Sequence, residues 1–193
     1  MNGIYSQKTV SRAFPTDWTL TWWEALLLLG SGVLAVVLHR AYDMSLGLPG
    51  HHGMEWMALM ILGRASSRFR GAGTLTSVGA SFASVLPFLR GENPFTWLFY
   101  LLPGPVMDLA FRYFPIYANK LWFMVLLGGL AHATKPVGQL VMNLLSGWPF
   151  GSFRYGVVYP FASHLLFGMI GGLVGALIVL GVQRASSKSS NEG

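Results

Sequence analysis

The stretch Leu121-Trp-Phe-Met-Val-Leu-Leu-Gly-Gly-Leu-Ala-His132-Ala-Thr-Lys135-Pro-Val-Gly-Gln139-Leu-Val-Met-Asn143 decides how this chain is read. About 20 apolar residues are needed to cross roughly 30 Å of hydrocarbon, and this run is long enough. Yet it carries a His, a Lys, a Gln and an Asn. With about 3.6 residues per turn, His132, Lys135, Gln139 and Asn143 fall on one face, opposite Leu, Val, Met and Phe. Ionisable groups inside a membrane helix are costly and turn toward protein or a watery cavity. Two readings are open: the groups line a cavity, or they only bond neighbouring helices. The first organises the rest of the chain.

Only 10% of the 193 residues are charged and 53% are hydrophobic. Ordinary soluble domains are about 25% charged. The expected fold class is therefore an all-α integral membrane protein, a bundle of six transmembrane helices over residues 20–183. A polar surface segment (1–19) is expected to precede it and a disordered tail (184–193) to follow it. Residues 1–19 with the next apolar run also resemble a signal peptide. That run is longer than an h-region and no small-residue cleavage site closes it, so it is read as a mature helix. The absence of Cys excludes disulfides, thiolate metal sites and Cys nucleophiles. A net charge of +6 could mark a nucleic-acid partner. Most of the basic residues instead sit in short loops between apolar runs, as membrane orientation requires, so the expected partner is the lipid bilayer and not nucleic acid.

The spans are placed at 22–38, 52–69, 71–89, 95–111, 121–143 and 157–182. The second is short and spans only as a tilted helix with polar ends. Trp22 and Trp23 anchor the first at the interface. Pro103-Gly104-Pro105 must kink or break the fourth. Asp108 and Arg112 are four apart and can pair on one helix face. In the last, His164, Gly168, Gly171 and Gly175 share a stripe, so His164 points into protein.

With the N-terminus inside, Lys8, Arg12, Arg64, Arg68, Arg70, Arg112, Lys120, Arg184 and Lys188 are cytoplasmic, and so is the C-terminus. Arg40, Arg90 and Arg154 lie outside, which satisfies the positive-inside rule. At a rise of about 1.5 Å per residue, His132 lies about 18 Å above Lys120. His132, Lys135, Gln139, Asn143 and His164 then converge in the outer half, joined by Trp97 and Tyr100. The first loop, with His51, His52 and Glu55, lies outside and can cover them. Such an outward pocket suits a small, polar, aromatic or anionic solute.

At this point the sequence resembles the substrate-binding (S) components of energy-coupling factor transporters. The resemblance rests on the six-span layout, on Leu-Pro-Gly-Pro-Val-Met-Asp108 and on His164-Leu-Leu-Phe-Gly-Met-Ile-Gly-Gly-Leu-Val-Gly. It implies an outward pocket under a first-loop lid and a vitamin-like or metal-ion substrate. It also implies a prokaryotic plasma-membrane location and partners comprising a transmembrane coupling protein and ATPase subunits. Family members dock through small residues of the first helix, often Ala-x-x-x-Ala. Ser31 and Ala35 hold that spacing, with Ser for the first Ala; packing within this protein is the competing reading. The metal-uptake branch uses an N-terminal His that Met1-Asn2-Gly3 lacks.

The expected function is thus solute capture for an ATP-driven micronutrient importer. The competing function is a non-catalytic accessory subunit of a larger membrane complex, with metal-ion uptake a further alternative. The chain has no Walker A motif and is not the ATPase. Ser163 beside His164 is no nucleophile–base pair, because adjacent helical residues face different directions. Neither an enzyme nor a cofactor is expected. Gly50-His51-His52-Gly53-Met54-Glu55 holds metal-type donors. Adjacent histidines on one strand point apart, so the expectation there is interfacial loop histidines and no metal.

Overall fold

The computed structural model describes residues 18–41, 48–89 and 93–189. They fold as α1 (Trp22–Ala41), α2 (Gly53–Ser66), α3 (Ala72–Val85), α4 (Thr96–Leu101), α5 (Pro103–Tyr113), α6 (Leu121–Ser146) and α7 (Val158–Ser189), with no strand among the described residues. The expected segment 1–19 lies outside them apart from Trp18 and Thr19, as do 190–193 of the expected tail.

Local chemistry places the helix ends. Thr21 Oγ1 accepts the Glu24 amide at 3.2 Å and so caps α1. Pro103 takes the first position of α5, where its missing amide costs nothing. Leu102 keeps helical dihedrals, so α4 and α5 continue into one another at the expected kink. Gly147 ends α6 in the left-handed region at φ 68°, and its amide bonds Asn143 O at 2.9 Å. One boundary is corrected. Residues 184–189 continue α7 and are not disordered. No Gly or Pro interrupts them, and adding a residue to an existing helix is far easier than nucleating one.

The helices pack through small residues. At Gly128 on α6 an added Cβ would lie 2.5 Å from Gly168 O on α7, so these backbones touch. The expected single glycine stripe of α7 divides between two neighbours: Gly168 meets α6, whereas Gly171 faces α2, where a Cβ would lie 2.4 Å from Gly53 O. On the far side α1 lies against α3. The short α2 is the central element. Its Trp56, Met57, Met60 and Ile61 are all buried, and at about 1.5 Å per residue it is shorter than the hydrocarbon core.

Arg64 and Asp108 correct two expectations. Arg64, expected among the cytoplasmic basic residues, is in the last turn of α2 and only 1% exposed. Its Nε reaches Asp108 Oδ1 at 2.8 Å, and its guanidinium lies over Phe111 at 4.4 Å. Asp108 also accepts the amides of Gly73 (2.9 Å) and Thr74 (2.8 Å) and the Thr74 hydroxyl (2.7 Å). Asp108 therefore caps α3 and pairs with α2. Arg112 is exposed and stands over Tyr113. Three charge-assisted donors outweigh one exposed i,i+4 contact.

Among the described residues two helices, Trp22–Ala41 and Val158–Ser186, are long and apolar enough to cross a membrane. The outer surface is also apolar: Leu27 is 74% exposed, Leu144 76% and Val158 81%.

Candidate functional site

All five histidines of the chain gather at one end of the bundle. His39 comes from the last turn of α1 and His51 and His52 from the loop entering α2. His132 comes from the middle of α6 and His164 from α7. The His39 and His52 ring centroids are 3.9 Å apart, His51 and His52 3.7 Å, and His132 and His164 4.7 Å. Trp56 lies edge-on to both His132 (5.5 Å) and Tyr100 (4.8 Å).

The loop is seated on this cluster by its backbone. Gly50 sits at φ 82°, which only glycine adopts freely. A Cβ there would lie 2.8 Å from the His164 ring. Nε2 of His132 donates to Gly50 O at 3.1 Å. A carbonyl only accepts, so in the neutral ring the proton is on Nε2 and Nδ1 is a bare acceptor. His164 is the mirror case. Its Nδ1 donates to Pro160 O at 2.7 Å, which leaves Nε2 bare. Neither bare nitrogen has a partner among the described residues, and neither has the Trp56 Nε1–H donor; all three are buried. Buried polar atoms are almost always bonded, so these three mark where a water or ligand group would bind.

Two adjoining cavities open beside the cluster. One, of about 370 Å³, is lined by His39, Arg40, Trp56, Tyr100, Lys135 and Gln139 together with Asn93, Thr96 and Phe99. The other, of about 340 Å³, is lined by Gly50, Lys135, Gln139, Ser152, Tyr155 and His164. Lys135 and Gln139 belong to both. Ser152 donates to Gln139 Oε1 at 2.9 Å and so presents the amide. Lys135 makes no hydrogen bond or ion pair among the described residues. Pro136, the next residue, deprives the His132 carbonyl of its usual amide donor four residues on.

The structure brings His132, Lys135, Gln139, His164 and Tyr100 together, with His51, His52 and Glu55 close by. Two expected members are elsewhere. Asn143 Nδ2 donates to Trp148 O at 2.8 Å and secures the end of α6. Trp97 is 43% exposed and lies on an outer groove with Val78, Phe82 and Leu101. Asn143 lies in the last turn of α6, too near the helix end to reach the cluster. Ser31 and Ala35 also change role. Ala35 is fully buried, and at Gly32 between them a Cβ would lie 1.9 Å from Thr76 O on α3. Ser31 bonds Leu28 O in its own helix. This small-residue face packs inside the chain and is not free for a partner.

His39, Arg40 and Trp56 were missing from the sequence reading. A signal for His39 was present. Leu28, Gly32, Ala35 and Val36 form the buried stripe of α1, and His39 extends it at the i+4 spacing from Ala35. Trp56 stands four residues after His52, on the same face of α2. Comparison with protein-family models, curated proteins and solved structures finds no match to this chain.

Proposed function

We propose that the chain is a six-span, membrane-embedded solute-capture subunit of an ATP-driven importer, akin to the S components it resembles. It takes a small anionic or polar solute at the end of the bundle that carries the histidines. The observation that carries this reading is Lys135. It is a cation with no counter-charge among the described residues, on the wall shared by two polar cavities. A cation in such a place is costly unless a ligand or water satisfies it. Arg40 adds a second cation, Asn93, Thr96 and Gln139 add neutral donors and acceptors, and Trp56 and Tyr100 add apolar faces. The exposed apolar sides of α1, α6 and α7 support contact with lipid. Because the Ser31–Ala35 face is internal, a coupling protein would dock elsewhere on the bundle.

The test is isolation of the intact chain in mild detergent, with mass spectrometry of what accompanies it. Coupling and ATPase subunits, together with a small molecule lost from Lys135→Ala and His164→Ala, support capture. Subunits of another membrane assembly with no small molecule replace this reading with the accessory-subunit one.

A further inference from the structure

We propose that His39, His52 and Glu55 bind a divalent transition-metal ion. His39 comes from the last turn of α1, His52 from the residue just before α2, and Glu55 from the first turn of α2. One ligand atom from each lies within 4.8 Å of the others. His52 Nδ1 and Glu55 Oε1 are 3.3 Å apart. A tetrahedral ion with ligands at about 2.0–2.1 Å holds its ligand atoms about 3.3 Å from each other. That edge is already in place. A ligand atom of His39 lies within 4.8 Å of the other two, so a small shift of its ring would close the set.

An ordinary hydrogen bond accounts for His52 and Glu55, but not for His39. The His39 ring meets His52 and Tyr100 edge-on and makes no hydrogen bond among the described residues. Its nitrogens are therefore available. His52 precedes α2 without capping it by a side-chain bond, so its ring is not committed to the helix end. Glu55 supplies the negative charge that two imidazoles lack. Two imidazoles and one carboxylate suit zinc, cobalt, nickel or ferrous iron, and not calcium or magnesium, which take oxygen ligands. With no Cys in the chain, a thiolate-held cuprous ion is excluded.

Three protein ligands leave at least one coordination position open. His39 lines the cavity of about 370 Å³, so the ion would stand at the wall of that chamber, on the side carrying Arg40 and Lys135. Those cations favour an anionic group as the remaining ligand. The metal site does not rest on the solute-capture reading, because it needs only these three side chains.

The intact chain, without a polyhistidine tag and stripped by a chelator, would be titrated with Zn²⁺ by calorimetry and with Co²⁺ by visible spectroscopy. The expected result is a single ion per chain and the intense visible bands of low-coordinate cobalt. His39→Ala and Glu55→Gln should each weaken binding by at least about tenfold, the loss that even an outer-shell partner produces. His51→Ala should retain wild-type affinity, because His51 is not one of the three residues whose ligand atoms converge. Size-exclusion elution of each variant checks its fold. No saturable binding by the wild type would overturn the proposal. So would a loss in His51→Ala with none in folded His39→Ala, which would assign the ion to the loop histidines alone.

Discussion

Arg64 on α2 and Asp108 on α5 meet at 2.8 Å inside the bundle, and the carboxylate also holds the first turn of α3. Three helices share one charge pair at the end of the bundle away from the histidines. The pair ties the end of α2 to α3 and α5, and the start of α2 carries His52, Glu55 and Trp56 to the site.

Removing one partner from a buried pair is far more damaging than the pair is stabilising, about 3–5 kcal/mol. Asp108→Ala should fall in that range, because it strands Arg64 and frees the amides of Gly73 and Thr74. Arg64→Met should cost less, since Asp108 keeps its three donors on α3. Unfolding in detergent, followed by circular dichroism, would show this order. A greater loss for Arg64→Met would contradict the assigned role of Asp108.

Lys135→Ala and Lys135→Gln should both abolish retention of an anionic solute while leaving the melting temperature unchanged or raised. An unpaired cation in a partly buried place does not stabilise a fold. Native mass spectrometry of the detergent-solubilised chain reads the retention, and a melting scan reads the stability. A marked drop in stability would mean that Lys135 bonds a group of the chain itself.

Asn143→Ala should cost about 1 kcal/mol through the lost contact at the end of α6, with no effect on ligand retention. Gly147→Ala should cost about as much, because Gly147 is left-handed at φ 68° with open space around it. The two substitutions separate the end of α6 from the site. Reduced ligand retention in Asn143→Ala would return that residue to the pocket.

Gly168→Val should push α6 and α7 apart. A Cβ there meets Gly128 O and His132 Cβ, both at 2.6 Å. Overpacking of this kind costs about 1–3 kcal/mol. It would also move His132 from Gly50 O. Hydrogen exchange should rise in the loop 48–52 as well as along α6. Faster exchange in α6 alone would show that the loop is held by something other than His132 and His164.

Gly50→Ala should loosen the same loop more directly. It combines a left-handed φ with a Cβ 2.8 Å from the His164 ring. The expected cost is about 1–3 kcal/mol, read as faster exchange confined to 48–56. Unchanged exchange would mean that the loop does not rest on His164.

How far the sequence carried the reading can be followed in single residues. His164 was placed inward from its glycine stripe, and it is 2% exposed. Lys135 and Gln139 were placed on the wet face of α6, and both line the cavities. These inferences use the period of one helix, which consecutive residues determine. The same period misjudged Asn143, because it gives the face of a residue and not whether its neighbour is a chamber or a loop. It also paired Asp108 with Arg112, the nearest cation along the chain, when the nearer cation in space was Arg64.

Composition and helix phase by themselves determined that the chain is helical and apolar, where its kink falls, and which faces of α6 and α7 turn inward. Those are local properties, written in runs of adjacent residues. The meeting of His39 with His52 and Glu55, the burial of Arg64 on Asp108 and the internal packing of Ser31 and Ala35 were decided by tertiary structure. Each depends on how close two helices approach, and that distance is set where glycine backbones such as Gly128 and Gly168 touch, far along the chain from the side chains they bring together.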